Sequence, residues 1–81
     1  MRIKIKAKIK EKEHKSVSID TDFIKLDSFL KLCNAVQTGG HAKIVISGGE
    51  VKVNGEKCLQ RGKKLRKGDC AEFNNIIYEI E

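Results

Sequence analysis

The chain has 81 residues, with 17 Lys or Arg against 11 Asp or Glu and a net charge of +6. That length supports one domain with one small core and leaves little volume for a deep substrate pocket. No apolar run approaches the roughly 20 residues that span a bilayer, and the basic N-terminus lacks the apolar centre of a signal peptide, so a cytoplasmic protein without membrane association is expected.

Residues 2–9 alternate without a break, placing Ile3, Ile5, Ala7 and Ile9 on one face and the lysines on the other, which predicts a half-buried strand. Glu11–Lys15 reads as a polar loop. Val17 and Ile19 continue the alternation in a second short strand, with the first as its candidate hairpin partner. The period then changes. Leu26, Phe29, Leu30, Cys33 and Val36 fall on one side of a helix of about three turns. Asp27 suits the positive end of that helix, and Gly39-Gly40 offers a left-handed residue to end it.

A shorter helix fits Ala42, Val45 and Ile46, stopped by Gly48-Gly49. Glu50–Val53 alternates into Asn54-Gly55, a strong hairpin signal because both residues tolerate positive φ. Gly68-Asp69 marks another turn, and strands over Cys70–Phe73 and Ile76–Ile80 meet at Asn74-Asn75. The expected fold is α+β: two short helices packed on a small, mostly antiparallel sheet.

Catalytic chemistry finds little support. His14 and His41 lie in expected surface turns without partners at metal-ligand spacing, and no Ser occupies a G-x-S-x-G elbow. Asp20 and Asp22 read as turn or helix-entry residues, because paired catalytic carboxylates need a water-shielded cleft. Cys33, Cys58 and Cys70 suit neither a disulfide framework nor a zinc site; Cys33 reads as an apolar filler. No catalytic residue, metal or cofactor is expected.

The charge carries more information. Seven cations face two acids over residues 1–15, and seven face three over residues 50–69. Within the second block, Arg61-Gly-Lys-Lys-Leu-Arg-Lys67 holds five cations in seven residues, bracketed by glycines, which places them on a loop or short ribbon. Such clustering is the electrostatic footprint of a nucleic-acid binder. With only Phe23, Phe29, Phe73 and Tyr78 as rings, and core placement favoured for at least three, stacking on single strands is disfavoured against folded RNA held through phosphates and shape. Thr38-Gly-Gly-His-Ala-Lys43 fits either a plain connection or a phosphate-binding helix start.

Several stretches together resemble a known family. Ile24–Leu32 is similar to the opening helix of the RNA-binding domain named after the fourth small-subunit ribosomal protein. Gly40-His-Ala-Lys43, Gly49–Gly55, Arg61-Gly-Lys-Lys-Leu65 and Gly68-Asp69 resemble the rest of its αL motif, in order. The similarity covers about residues 17–81, with the motif at about 23–73, and the small stand-alone YaaA/YbcJ-like bacterial proteins are most alike. The resemblance implies a module for structured RNA, ribosomal RNA first, reading it with two helices and a β-loop; a monomer without catalysis is expected. Position by position it implies contacts from Lys25, Lys31, His41, Lys43, Lys52, Asn54, Arg61, Lys63, Lys64 and Arg66, although Asn54 also suits a purely structural turn. Gly40-His41 stands where many relatives carry an Arg before the second helix's Ala, which shifts weight onto the 61–67 run. Residues 1–15 lie outside the usual domain, where edge protection by lysines is the favoured reading. The competing function is an interaction module whose basic strand Arg2–Lys10 meets anionic membrane or an acidic protein.

Overall fold

A computed structural model describes residues 12–81, and the strand expected over 2–9 lies outside that span. In order, the elements are β1 (Glu13–Val17), β2 (Ile24–Lys25), α1 (Leu26–Leu32), α2 (Gly39–Ser47), β3 (Lys52–Val53), β4 (Glu56–Lys57), β5 (Lys64–Leu65), β6 (Cys70–Phe73) and β7 (Ile76–Ile80). Five strands form a sheet in the order β1-β7-β6-β3-β4, and β2 and β5 form a separate two-stranded ribbon. The α+β architecture and the antiparallel bias match expectation; β1, parallel to β7, is the exception.

Two turn signals act as their chemistry requires. Asn54 (φ 51°) and Gly55 (φ 87°) both take positive φ between β3 and β4, and Asn74 (φ 57°) and Asn75 (φ 66°) do the same between β6 and β7. This turn geometry matches the twist of the paired strands, and Asn tolerates it better than other non-glycine residues.

Several expectations need correction. Glu13–Lys15 is not loop but the first part of β1, which runs in register with β7 from Glu13 opposite Ile76 to Val17 opposite Ile80. Among the described residues it is an edge strand of the sheet, which its polar sequence suits, because backbone pairing rather than apolar burial supplies the hold. β1 is therefore a partner of the C-terminal strand, and Val17 is its last residue rather than the start of a separate strand.

The first helix is also shorter than its periodicity suggested: α1 has seven residues, about two turns. Asn34 (φ 60°) ends it, with Ala35 N–H donating to the Leu30 carbonyl at 2.9 Å, a left-handed closure of the helix C-terminus. Val36 is buried because the chain doubles back over α1, so its i+10 spacing mimicked a third turn. Gly39 and Gly40 consequently do not end α1; they open α2, where the Thr38 hydroxyl accepts from His41 N–H at 3.0 Å. α2, at nine residues, is the longer helix, contrary to expectation.

The core lies between the helices and one face of the sheet. Leu26, Phe29 and Leu30 of α1, Ala42, Val45 and Ile46 of α2, and Val53, Ala71, Tyr78 and Ile80 of the strands are buried together, and no polar or charged residue is buried among the described residues. Each large side chain so buried contributes roughly 1.5–3 kcal/mol. The Phe29 and Tyr78 rings meet edge to face, 6.5 Å apart at 89°. Leu65, fully buried, joins the same core and anchors the ribbon to the body.

Candidate nucleic-acid interface

The seven-residue basic run becomes a ribbon edge because it has a partner that the sequence reading missed. Ile24 pairs with Leu65 and Lys25 with Lys64 in an antiparallel ladder. Two backbone bonds extend the joint into α1: Leu26 N–H donates to the Lys63 carbonyl at 2.9 Å, and Asp27 N–H to the Arg61 carbonyl at 3.1 Å. The start of α1 is thus stitched to the basic run along its length.

Strand alternation decides which way the charges point. Leu65 is buried and Ile24 packs on the core, so Lys25, Lys64 and, one step further along each chain, Phe23 and Arg66 share the opposite, outward face. Like charges set directly across a ladder destabilise it. Here Lys25 faces Lys64 all the same, and the one ion pair among the described residues is Lys12 with Glu72, 2.7 Å apart on the large sheet. The ribbon's cations are held together by backbone rather than by acids.

The acid inside this segment is turned to another task. Asp69 Oδ2 accepts from the backbone N–H of Arg66 at 2.8 Å, and Asp69 Oδ1 accepts from Asn54 Nδ2 at 3.2 Å. Asn54 Oδ1 in turn accepts from Cys70 N–H at 3.0 Å. Asn54 therefore joins the β3–β4 turn to the turn after β5, and its side-chain oxygen and amide are both engaged within the protein. Gly68 (φ 96°) completes that second turn.

The other candidate residues divide by location. Lys31 is exposed on α1, and His41 and Lys43 are exposed on α2, which packs against α1. Lys52 stands apart. Its neighbour Val53 points into the core, so Lys52 projects from the opposite side of the five-stranded sheet, between Lys57 of β4 and Glu72 of β6. An open groove of about 550 Å³ runs beside the ribbon, bounded by Lys57, Leu59 and Lys63 among others. A smaller one of about 360 Å³ lies between Asp20-Thr21-Asp22 and Arg66-Lys67, so the ribbon's far end meets an acidic loop.

Phe23 is the residue that sequence reasoning left without a role. Its ring lies 4.8 Å from Lys64 Nζ and 5.9 Å from the Arg66 guanidinium carbon. The alternation Phe23-Ile24-Lys25 carried the signal, but only as a three-residue stretch, too short to be read without knowing its partner.

Cys33 behaves as the apolar filler that its spacing implied: burial pushes its thiol up to about 12, against a smaller lowering by Lys15. Tyr78 is likewise raised, by burial first and then by Cys33 and Glu13. Among the described residues no three His, Cys, Asp or Glu side chains gather as a metal ion would require, and no helix is long and apolar enough to cross a membrane.

This fold, with one helix stitched to a cationic ribbon and a second packed on the first, agrees with a sequence match: residues 17–81 match the S4 domain, and the chain belongs to that family. The probable ribosome maturation protein RlbA of Bacillus subtilis (strain 168) is similar to it, 50% identical over 60 residues that cover 74% of this chain and 84% of that protein.

Proposed function

We propose that this chain is a non-catalytic RNA-binding module that docks on structured RNA, ribosomal RNA first, and acts in ribosome maturation. The observation that carries the reading is the outward face of the β2–β5 ribbon, where Lys25 and Lys64 oppose each other with no acid within ion-pair distance among the described residues. Folding gains nothing from that juxtaposition, whereas a phosphate between two ammonium groups gains a great deal. Membership of the S4 domain family and similarity to a probable ribosome maturation protein support the same conclusion.

Lys25, Arg61, Lys63, Lys64 and Arg66 form the primary contact, and Lys31, His41 and Lys43 extend it over the helices. Lys52 and Asn54 are assigned no contact: the first faces away beside Glu72, and the second holds the two turns in place. Phosphate contacts position such a protein on its RNA and supply most of the affinity, while the grooves and 2′-hydroxyls supply discrimination by shape.

The test is a titration of a labelled double-stranded RNA hairpin against the parent chain and Lys63→Glu/Lys64→Glu. Both side chains are exposed, so the variant should keep its melting temperature within a few degrees. Its affinity should fall roughly 10²-fold, and the slope of log affinity against log salt should lose about two units. Equal affinity in parent and variant would remove the ribbon from the interface.

A further inference from the structure

We propose that Phe23 is a positioning residue of this surface: its ring orders the Lys64 and Arg66 side chains for phosphate without cancelling their charge. The inference rests on the RNA-binding reading above and adds to it the means by which the cations are pre-set.

Three observations support it. The ring lies under both cationic heads, at 4.8 and 5.9 Å. Phe23 is half-buried, yet it is not among the side chains packed on the core, so the ribbon's own cations are part of its cover. Its backbone is also fixed: the Thr21 hydroxyl donates to the Phe23 carbonyl at 2.8 Å, and the next residue enters the β2–β5 ladder.

The choice of a ring over an acid matters. Asp20 and Asp22 line the same small groove as Arg66 and Lys67, so carboxylates share this recess with the cations. No ion pair forms between them among the described residues. A carboxylate would hold a cation still but neutralise it, and an incoming phosphate would first have to displace it. An aromatic face attracts the cation through its quadrupole and leaves the net charge and the N–H donors at the edge available. Long flexible side chains lose rotamer freedom when they bind, and ordering them beforehand reduces that loss.

The experiment uses the full chain and a fluorescein-labelled double-stranded RNA hairpin. Phe23→Leu keeps apolar bulk and removes the ring; Phe23→Tyr keeps the ring. Phe23→Leu should weaken binding roughly three- to tenfold with an unchanged salt slope, because the same phosphates are met by less ordered cations, and Phe23→Tyr should bind like the parent. In a Lys64→Gln/Arg66→Gln background, Phe23→Leu should cost nothing further. An equal loss in that background would mean that the ring itself touches RNA, and would overturn the proposal. Undiminished affinity in folded Phe23→Leu, or a loss that tyrosine does not restore, would do the same. A second measurement needs no variant: in the free protein the Lys64 ε-methylene protons should be shifted upfield by the ring, and unshifted protons reject the proposal even where Phe23→Leu fails to fold. If Lys63→Glu/Lys64→Glu binds like the parent, the RNA-binding reading falls and takes this inference with it, whereas a failure confined to the Phe23 variants leaves that reading standing.

Discussion

The β2–β5 ribbon and the outer face of the five-stranded sheet are built from the same kinds of residue and use them differently. On the sheet, Lys52 faces Lys57 on one side but Glu72 on the other, and Glu72 is paired with Lys12 at 2.7 Å. On the ribbon, lysine faces lysine across the ladder, and the nearby acid Asp69 is spent on backbone and Asn54. One surface has an acid set among its cations by the strand pairing; the other leaves its charge to be balanced from outside. Cation count along the chain does not separate the two, because both regions are lysine-rich. What separates them is whether the strand pairing also sets an acid beside the lysines, as Glu72 stands beside Lys52.

The difference can be challenged most severely by detaching the ribbon. Leu65 is fully buried and ties β5 to the core, so Leu65→Ala should cost about 2–5 kcal/mol of stability in urea unfolding, and hairpin affinity should fall with it. A loss well under this range would mean that the ribbon is held by its backbone bonds alone.

Cys33 tests the seal on the sheet side, where the end of α1 lies near Lys15 of β1. Its thiol is pushed from an ordinary 9.0 to about 12, mainly by burial, so at pH 8 it should alkylate with iodoacetamide far more slowly in the folded chain than in urea. Because the folded value is the higher one, folding favours the protonated thiol. The associated stability is held below pH 9 and lost as pH rises towards 12. Rapid native-state alkylation would show that this corner opens.

A subtler comparison pairs Lys64→Gln with Lys52→Gln, which remove the same charge from the two regions. The first should weaken hairpin binding several-fold and take about one unit from the salt slope; the second should leave the slope unchanged. Equal slopes in the two variants would erase the distinction between the surfaces.

Much of the fold is legible in the sequence, and each departure from the sequence pattern has a physical cause. Asn54-Gly55 and Asn74-Asn75 were identified as turns because few residues accept two successive positive φ values. The core faces of α1 and α2 were visible in the spacing of Leu26, Phe29, Leu30 and of Ala42, Val45, Ile46. Val36 misled because burial after a chain reversal leaves the same apolar mark as burial along a helix. Glu13–Lys15 reads as loop because an exposed strand bears no apolar alternation. Of the candidate site residues, Lys25, Arg61, Lys63, Lys64 and Arg66 were visible as charge, and Phe23 was not.

From the sequence alone followed the elements that local rules control: two amphipathic helices, the hairpin turns and a run of five cations too dense for ordinary solubility. Tertiary structure alone decided that Ile24-Lys25 would pair with Lys64-Leu65, turning a basic stretch into an outward face with a ring beneath it, and that β1 would run parallel to β7. Short strands of two residues carry almost no periodic signal of their own, so their partners are chosen by what the shared core buries, and the core exists only once the chain has folded.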